Sequence, residues 1–368
     1  MFSHHKLLEI ISGRQKGILS SATRSVLGCM TPLYRTGVWW RNRNYNRAVD
    51  NPEVIKRAGV PVISVGNLTT GGTGKTPMVI WISKWLRSQN QRVALISRGY
   101  TADLNSSHSR NDEAIELENR LADVPHLQDP DRFAMTQIAV SELESQVIVL
   151  DDGFQHRKLW RDLDIVLIDA TEPFGFGRLL PRGLLREPIN SLSRADIAIV
   201  TRANLVPTEN QNLILNRIKQ ANPQLPIALT QTVFTTLLQF DGTQIPVERL
   251  NDFSSVFVFC AIGNPQGFQS SLEEAGAKPS GLRTFRDHHE FTREELEQVG
   301  AQAQQSGAQA IVCTHKDLVK VGTNRLGGLP VYATLIDVEF VAGENLLTSK
   351  LQQVVELIET EDNCQEPS

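Results

Sequence analysis

Val62-Ile63-Ser64-Val65-Gly66-Asn67-Leu68-Thr69-Thr70-Gly71-Gly72-Thr73-Gly74-Lys75-Thr76 is the stretch that decides the fold. Its apolar, β-branched opening reads as a buried strand, the glycine-rich segment as a tight loop, and Lys75 onward as the start of a helix. That strand, loop and helix order is the context a phosphate-binding Walker A loop requires. Glycines let backbone N–H groups turn inward around phosphate oxygens, and the helix N-terminus adds its partial positive charge. Lys75 then reaches the β- and γ-phosphates of a nucleoside triphosphate, and the Thr76 hydroxyl ligates Mg²⁺. Thr69 stands where the general pattern has its first glycine, and Gly71 and Gly72 supply the missing backbone freedom. Thr69, Thr70, Gly71, Gly72, Thr73, Gly74, Lys75 and Thr76 are the candidate nucleotide-binding residues.

Outward from the loop, short apolar runs alternate with helical segments. The runs are Val60–Val65, Arg92–Ser97, Gln146–Leu150, Leu163–Ile168 and Ala195–Thr201, and Lys75–Gln89 and Asp131–Glu144 are among the helices. Continuously apolar strands separated by helices imply a parallel sheet covered on both faces. The expected fold is therefore α/β, a P-loop NTPase-type parallel sheet covered by helices, with a second, smaller α/β domain. One run ends in Asp151-Asp152. A carboxylate at the carboxyl end of a parallel strand sits where ligands bind, placed to hold Mg²⁺ or its waters. After one or two connecting strands in Ile227–Phe240, further strands are expected at Ser255–Ala261, Ala308–Thr314 and Pro330–Thr334, and helices at Pro265–Ala275 and Thr292–Gln305. Leu346–Ile358 forms a closing helix before a polar tail, Glu359–Ser368. The organisation read from this is a leader over 1–50, a P-loop domain over 51–225, a smaller α/β domain over 226–342, and the helix and tail over 343–368.

The 368 residues hold 40 % hydrophobic and 21 % charged side chains, which excludes disordered, collagenous and low-complexity classes. No run reaches the roughly 18 apolar residues of a membrane span, and no signal-peptide core opens the chain, so its bulk is expected in the cytoplasm. The scattered Cys29, Cys260, Cys313 and Cys364 suggest neither a zinc site nor a disulfide framework. The net charge of −4 hides an asymmetry: residues 1–50 hold eight lysines and arginines against Glu9 and Asp50. In that leader Ile18, Ala22, Val26, Cys29, Met30 and Leu33 recur at helical spacing, followed by Tyr34, Trp39 and Trp40 among Arg35, Arg41 and Arg43. Such a helix suits the headgroup zone of a bilayer, and it equally suits packing on the protein's own core. Nucleic acid is not an expected partner, because the positive charge is confined to one end and no recognition motif accompanies it.

A phosphoryl transferase also needs a group to position or deprotonate the acceptor hydroxyl and cations to offset charge on the transferring group. The order of polar motifs along the chain resembles the tetraacyldisaccharide 4′-kinase (lipid A 4′-kinase) family. The resemblance begins at Tyr34-Arg35 and Val38-Trp39-Trp40-Arg41 and covers the strand and loop from Val62 to Pro77. It continues through Ser97-Arg98-Gly99-Tyr100, Asn111-Asp112-Glu113, Asp151-Asp152-Gly153-Phe154-Gln155-His156 and Leu180-Pro181-Arg182-Gly183-Leu184-Leu185-Arg186-Glu187. Gly263-Asn264-Pro265, Phe285-Arg286-Asp287-His288-His289 and Thr314-His315-Lys316-Asp317 follow in the second domain. It implies transfer of the ATP γ-phosphate to the 4′-hydroxyl of a tetraacyldisaccharide 1-phosphate, the lipid A precursor, at the cytoplasmic face of the inner membrane. Asp112 matches the family's catalytic carboxylate and His288 its supporting histidine, so the two domains are expected to close over the disaccharide. Asp151 and Asp152 match the acidic pair after the Walker B strand, with Asp152 in a catalytic role and Asp151, Glu113 and Thr76 as Mg²⁺ ligands. Gln155, His156, Arg186 and Glu187 match positions near substrate or phosphates. A lipid-anchored substrate favours the membrane reading of the leader, and no obligate protein partner is indicated.

Two other classes share part of this pattern. A membrane-associated switch ATPase shares the Gly-Gly-x-Gly-Lys-Thr core but places a lysine where this chain has Thr70. A GTPase reading rests on Thr314-His315-Lys316-Asp317, which resembles a guanine-reading run but lies far along the chain from the loop.

Overall fold

The computed structural model describes residues 4–99, 112–262, 265–286 and 289–365, and of 4–6, 112–113 and 361–365 the backbone alone. Two compact units emerge, Met1–Gln231 with Val338–Ser368, and Thr232–Asp337.

In the first unit the opening stretch folds as strand, loop and helix, β1 (Val62–Asn67) leading to α3 (Lys75–Ser88). β2 (Val93–Ser97), β3 (His126–Gln128), β4 (Val147–Asp151), β5 (Leu163–Asp169), β6 (Ile197–Thr201) and the start of β7 (Ile227–Leu238) join β1 in the order β7-β6-β5-β1-β4-β2-β3. Every pairing along this path is parallel. Alternate residues of a strand face opposite sides. Ile63, Val65, Leu95 and Val149 pack with Met78, Val79 and Ile82 of α3 on one side, joined by Leu117 of α4 (Asp112–Arg120). On the other side Val62, Ile96 and Ile148 pack with Ala139 of α5 (Arg132–Ser141), and Val166 and Ala198 with Ile214 and Ile218 of α6 (Thr208–Ala221). This two-sided burial is why the strands read as unbroken apolar runs.

The final helix α10 (Glu344–Gln365) departs from the expected organisation. Leu347, Leu351, Val354, Val355 and Ile358 form one stripe that completes the core around α3 and β1. The closing helix is therefore part of the P-loop unit, and the smaller unit runs over 232–337 where 226–342 was expected. The leader too belongs to the first unit, as α1 (His4–Ser12) and the 30-residue α2 (Ile18–Arg47). Ser20 and Val38, about five turns apart, are the buried residues of α2. Ile18, Leu19, Val26, Met30, Leu33, Trp39 and Trp40 are all exposed. The apolar stripe thus faces outward, which removes the reading of α2 as a helix packed by that stripe on its own core.

The second unit contains β8 (Gln244–Pro246), β9 (Val256–Cys260), β10 (Pro279–Thr284), β11 (Ala310–Thr314), β12 (Arg325–Leu326) and much of β13 (Leu329–Ala342). β10, β9, β11 and β13 lie side by side and parallel, with α7 (Pro265–Glu274), α8 (Arg293–Gln305) and α9 (His315–Val321) between them in sequence. Thr314 caps α9: its Oγ1 donates to Asp317 Oδ2 at 2.6 Å and accepts the Asp317 N–H at 3.3 Å. Starting a helix accounts for that Thr-x-x-Asp pair without a base-reading role.

Candidate active site

The phosphate loop owes its shape to two glycines and to two clips. Gly71 (φ +121°) and Gly74 (φ +80°) occupy the backbone region that favours glycine. On one flank the Thr70 N–H donates to Leu184 O at 2.8 Å, the Arg186 N–H donates to Leu68 O at 2.7 Å, and Thr69 bridges Leu185 antiparallel. On the other, Thr201 Oγ1 donates to Thr73 O at 3.0 Å and Arg202 donates to Gly72 O at 3.1 Å while pairing with Asp169. Among the described residues, Asn67 Oδ1 and Thr73 Oγ1 are buried without a hydrogen-bond partner. Buried polar atoms of this kind in a phosphate loop are ones a bound ligand can satisfy.

β4 delivers the acidic pair beside the loop, since Asp151 stands in register with Val65 of β1. A Cβ on Gly66 would lie 2.6 Å from that of Phe154, so β1 meets the Asp-Asp-Gly-Phe turn more closely than any other residue type permits. Asp152 is left among cations. Lys75 Nζ is 3.8 Å from its Oδ1, Arg186 Nη1 donates to Oδ2 at 2.7 Å, and Arg132 Nη1 donates to its carbonyl at 3.0 Å. Burial pushes the Asp152 carboxyl up, but Lys75, Arg186 and Arg132 outweigh it and hold the group below the usual carboxylate range. Arg186 also donates to Gln155 Oε1 at 3.2 Å, and Gln155 Nε2 donates to Asn67 O at 2.8 Å. His156 is pushed down to about 4, first by burial and then by Arg132, Arg161 and Lys158. At neutral pH it is an uncharged imidazole with one donor and one acceptor nitrogen. Thr76 lies in the first turn of α3 and Asp151 closes β4, an oxygen-only donor set that fits a hard cation such as Mg²⁺.

Beside the loop lies a cavity of about 1350 Å³ within the first unit. Lys75, Asp151, Asp152, Gln155, His156 and Arg186 are all in its wall. Arg98, Arg132, Lys56, Arg157 and Lys158 add further positive charge, and Tyr34 and Arg41 bring the leader to its edge. Arg132 is almost wholly buried there. Arg202 was missed altogether; its signal was its place directly after an apolar strand, at the sheet edge where ligands bind.

Asp112 and Glu113 begin α4, and their side chains lie outside the described residues. His288 lies outside the described residues altogether. Glu187, expected near substrate, is instead 0 % exposed and fully engaged by neighbouring side chains. Four charged or polar partners compensate its burial, which leaves no face for a ligand. His126 has a buried side chain 2.9 Å from Ser97 Oγ.

Residues 23–356 match the family described as Tetraacyldisaccharide-1-P 4′-kinase. The chain belongs to this family. Tetraacyldisaccharide 4′-kinase of Halothermothrix orenii is 33 % identical over 339 residues, covering 85 % of this chain and 87 % of that protein. The protein of the same name from an Anaeromyxobacter species is 37 % identical over 335 residues, covering 87 % and 88 %. A crystal structure of LpxK from Aquifex aeolicus, an "apo" form in complex with ATP, superposes with a TM-score of 0.69 at 29 % identity, covering 90 % of this chain and 99 % of that one. Tetraacyldisaccharide 4′-kinases are enzymes, and this one carries the P-loop fold of the kinase.

Proposed function

We propose that the chain transfers the γ-phosphate of ATP to the 4′-hydroxyl of a tetraacyldisaccharide 1-phosphate, giving lipid IVA in lipid A synthesis. One observation carries the reading: the loop's Lys75 and the pocket's Arg186 converge on Asp152 in the wall of a cation-rich cavity of about 1350 Å³. A phosphoryl donor and a phosphorylated sugar both place negative charge there, and the cavity is large enough for both. The loop amides from Gly71 to Thr76 hold the triphosphate, and Lys75 and Arg186 offset charge on the transferring group. Asp112 positions the 4′-hydroxyl and accepts its proton as oxygen attacks phosphorus and the bond to ADP breaks; His288 supports it, by resemblance of sequence. Asp152 keeps Lys75 and Arg186 in place, and Gln155 and neutral His156 hydrogen-bond the sugar. Mg²⁺ held by Thr76 and Asp151, with Glu113 nearby in sequence to Asp112, would neutralise charge on the β- and γ-oxygens.

The exposed apolar stripe of α2 supports docking at a leaflet, the cytoplasmic face of the inner membrane, where a lipid-anchored acceptor resides. Side chains of Ile18, Val26, Met30 and Leu33 enter the acyl boundary, Trp39 and Trp40 sit at headgroup level, and Arg35 and Arg43 meet lipid phosphates. No helix among the described residues is long and apolar enough to cross a membrane.

The test is γ-labelled ATP with Mg²⁺ and tetraacyldisaccharide 1-phosphate in detergent micelles, resolved by thin-layer chromatography. Label on the lipid is the expected result. Label found only as inorganic phosphate, released equally without the disaccharide, would overturn the reading in favour of a switch ATPase.

A further inference from the structure

Glu187 links two parts of the protein that the reaction needs together. Its Oε1 accepts from Arg41 Nη2 at 2.8 Å, and its Oε2 accepts from Asn42 Nδ2 at 2.8 Å, Ser191 Oγ at 2.9 Å and Arg194 Nη1 at 2.9 Å. Burial pushes this carboxyl up, but Arg194, Asn42 and Arg41 outweigh it and keep the group ionised at neutral pH. Two of the four partners, Arg41 and Asn42, belong to α2. The preceding residue is tied to the same helix: Tyr34 Oη donates to Arg186 O at 2.9 Å. Arg186 in turn donates its N–H to Leu68 O and its guanidinium to Asp152, which pairs with Lys75. The segment Leu184–Glu187 therefore holds α2 on one side and the phosphate loop on the other.

We infer that Glu187, Arg41 and Tyr34 are positioning residues for phosphoryl transfer: they seat α2 on the segment Leu184–Glu187 and through it aim Arg186 at Asp152 and Lys75. This rests on the kinase reading above. A guanidinium contributes to a transition state only where its N–H groups meet developing charge, and a misplacement of about 1 Å costs on the order of a hundred-fold in rate. The backbone of Arg186 is fixed on its N–H side by Leu68 and on its carbonyl side by Tyr34, while Glu187 anchors the next residue. Loosening α2 removes the second of these restraints, strips the third of Arg41 and Asn42 while Arg194 and Ser191 remain, and leaves the first. The consequence is a loss in turnover, with nucleotide binding by the loop itself little changed.

Glu187 is a poor residue to alter, because its removal orphans buried arginines and threatens the fold. Arg41 is the better handle: its side chain is 39 % exposed, and without it Glu187 keeps Arg194, Asn42 and Ser191. The experiment compares Arg41→Met, Tyr34→Phe and their combination with the native chain in the lipid phosphorylation assay, with melting midpoints measured alongside. The combined variant should lose about ten-fold or more in kcat, with KM for ATP changed less than about three-fold. Arg41→Lys should recover part of the loss. In an Arg186→Ala background, Arg41→Met should cost nothing further, because it acts through Arg186. Asn46→Ala removes a different contact between α2 and the body, the bond from Arg157 at 2.8 Å, and should leave kcat unchanged. Native kcat in the folded combined variant would overturn the inference, as would an equal fractional loss on top of Arg186→Ala. A native chain that phosphorylates no lipid would overturn the kinase reading and this inference with it, an outcome distinct from active native protein with silent variants.

Discussion

Replacing Ile18 and Leu33 together with serine should release the protein from vesicles without weakening its fold. Ile18 is 92 % exposed and Leu33 75 % exposed, so neither contributes much to folding. Full burial of such a side chain is worth about 1.5–3 kcal/mol, and scaling by exposure gives about 3 kcal/mol of bilayer transfer for the pair. At about 1.4 kcal/mol per decade, partitioning falls roughly a hundred-fold. Val38 provides the opposite case: it is 7 % exposed, on the side of α2 that meets the protein. Val38→Ser should lower the melting midpoint by several degrees and leave partitioning of the folded protein close to native. The assay is co-sedimentation with vesicles of phosphatidylethanolamine and phosphatidylglycerol over a range of lipid concentrations, with the thermal midpoint of each variant measured separately. Binding should also weaken as salt rises, because Arg35 and Arg43 meet screened headgroup charge. Native partitioning by the double variant, or a fall in its midpoint as large as that of Val38→Ser, would refute the reasoning.

Three further outcomes can be checked. Lys75→Ala should abolish lipid phosphorylation through loss of the phosphate contact and of the charge facing Asp152, and intact turnover would remove the loop assignment. Asp112→Asn should lower kcat by about a hundred-fold or more while ATP affinity survives; an equal loss of ATP affinity, read by equilibrium binding, would recast the residue as a metal ligand. His156 is held neutral, at about 4 against an ordinary 6.5. Between those values the unfolded chain takes up a proton that the folded one refuses, so the stability tied to a neutral His156 is complete above about pH 6.5 and lost as pH falls toward 4. His156→Gln should flatten that part of a plot of urea midpoint against pH, and an unchanged slope would contradict the perturbed imidazole.

The sequence determined what depends on neighbours a few residues apart. A β-branched run, Gly-Gly-Thr-Gly-Lys-Thr and an amphipathic helix follow one another without interruption, so the strand, the phosphate loop and α3 were legible with their boundaries nearly correct. Unbroken apolar strands revealed the parallel, two-faced sheet because each strand carries the signature of its own burial. The spaced polar motifs identified the family, since a motif is read along the chain whatever its side chains touch. Helical spacing likewise exposed the apolar stripe of α2, yet periodicity is the same for a stripe turned inward or outward. Only the tertiary structure showed that it faces out. The same holds for α10, whose stripe completes the core of a unit that begins at the other end of the chain. Arg186 and Glu187 are adjacent in sequence and in one family motif, but one lines the cavity and the other is sealed beneath α2. Their partners are 34 and 146 residues away, Asp152 and Arg41. A charged side chain's role is set by whether burial is compensated and by which charges compensate it, and at such separations only the packed chain decides that.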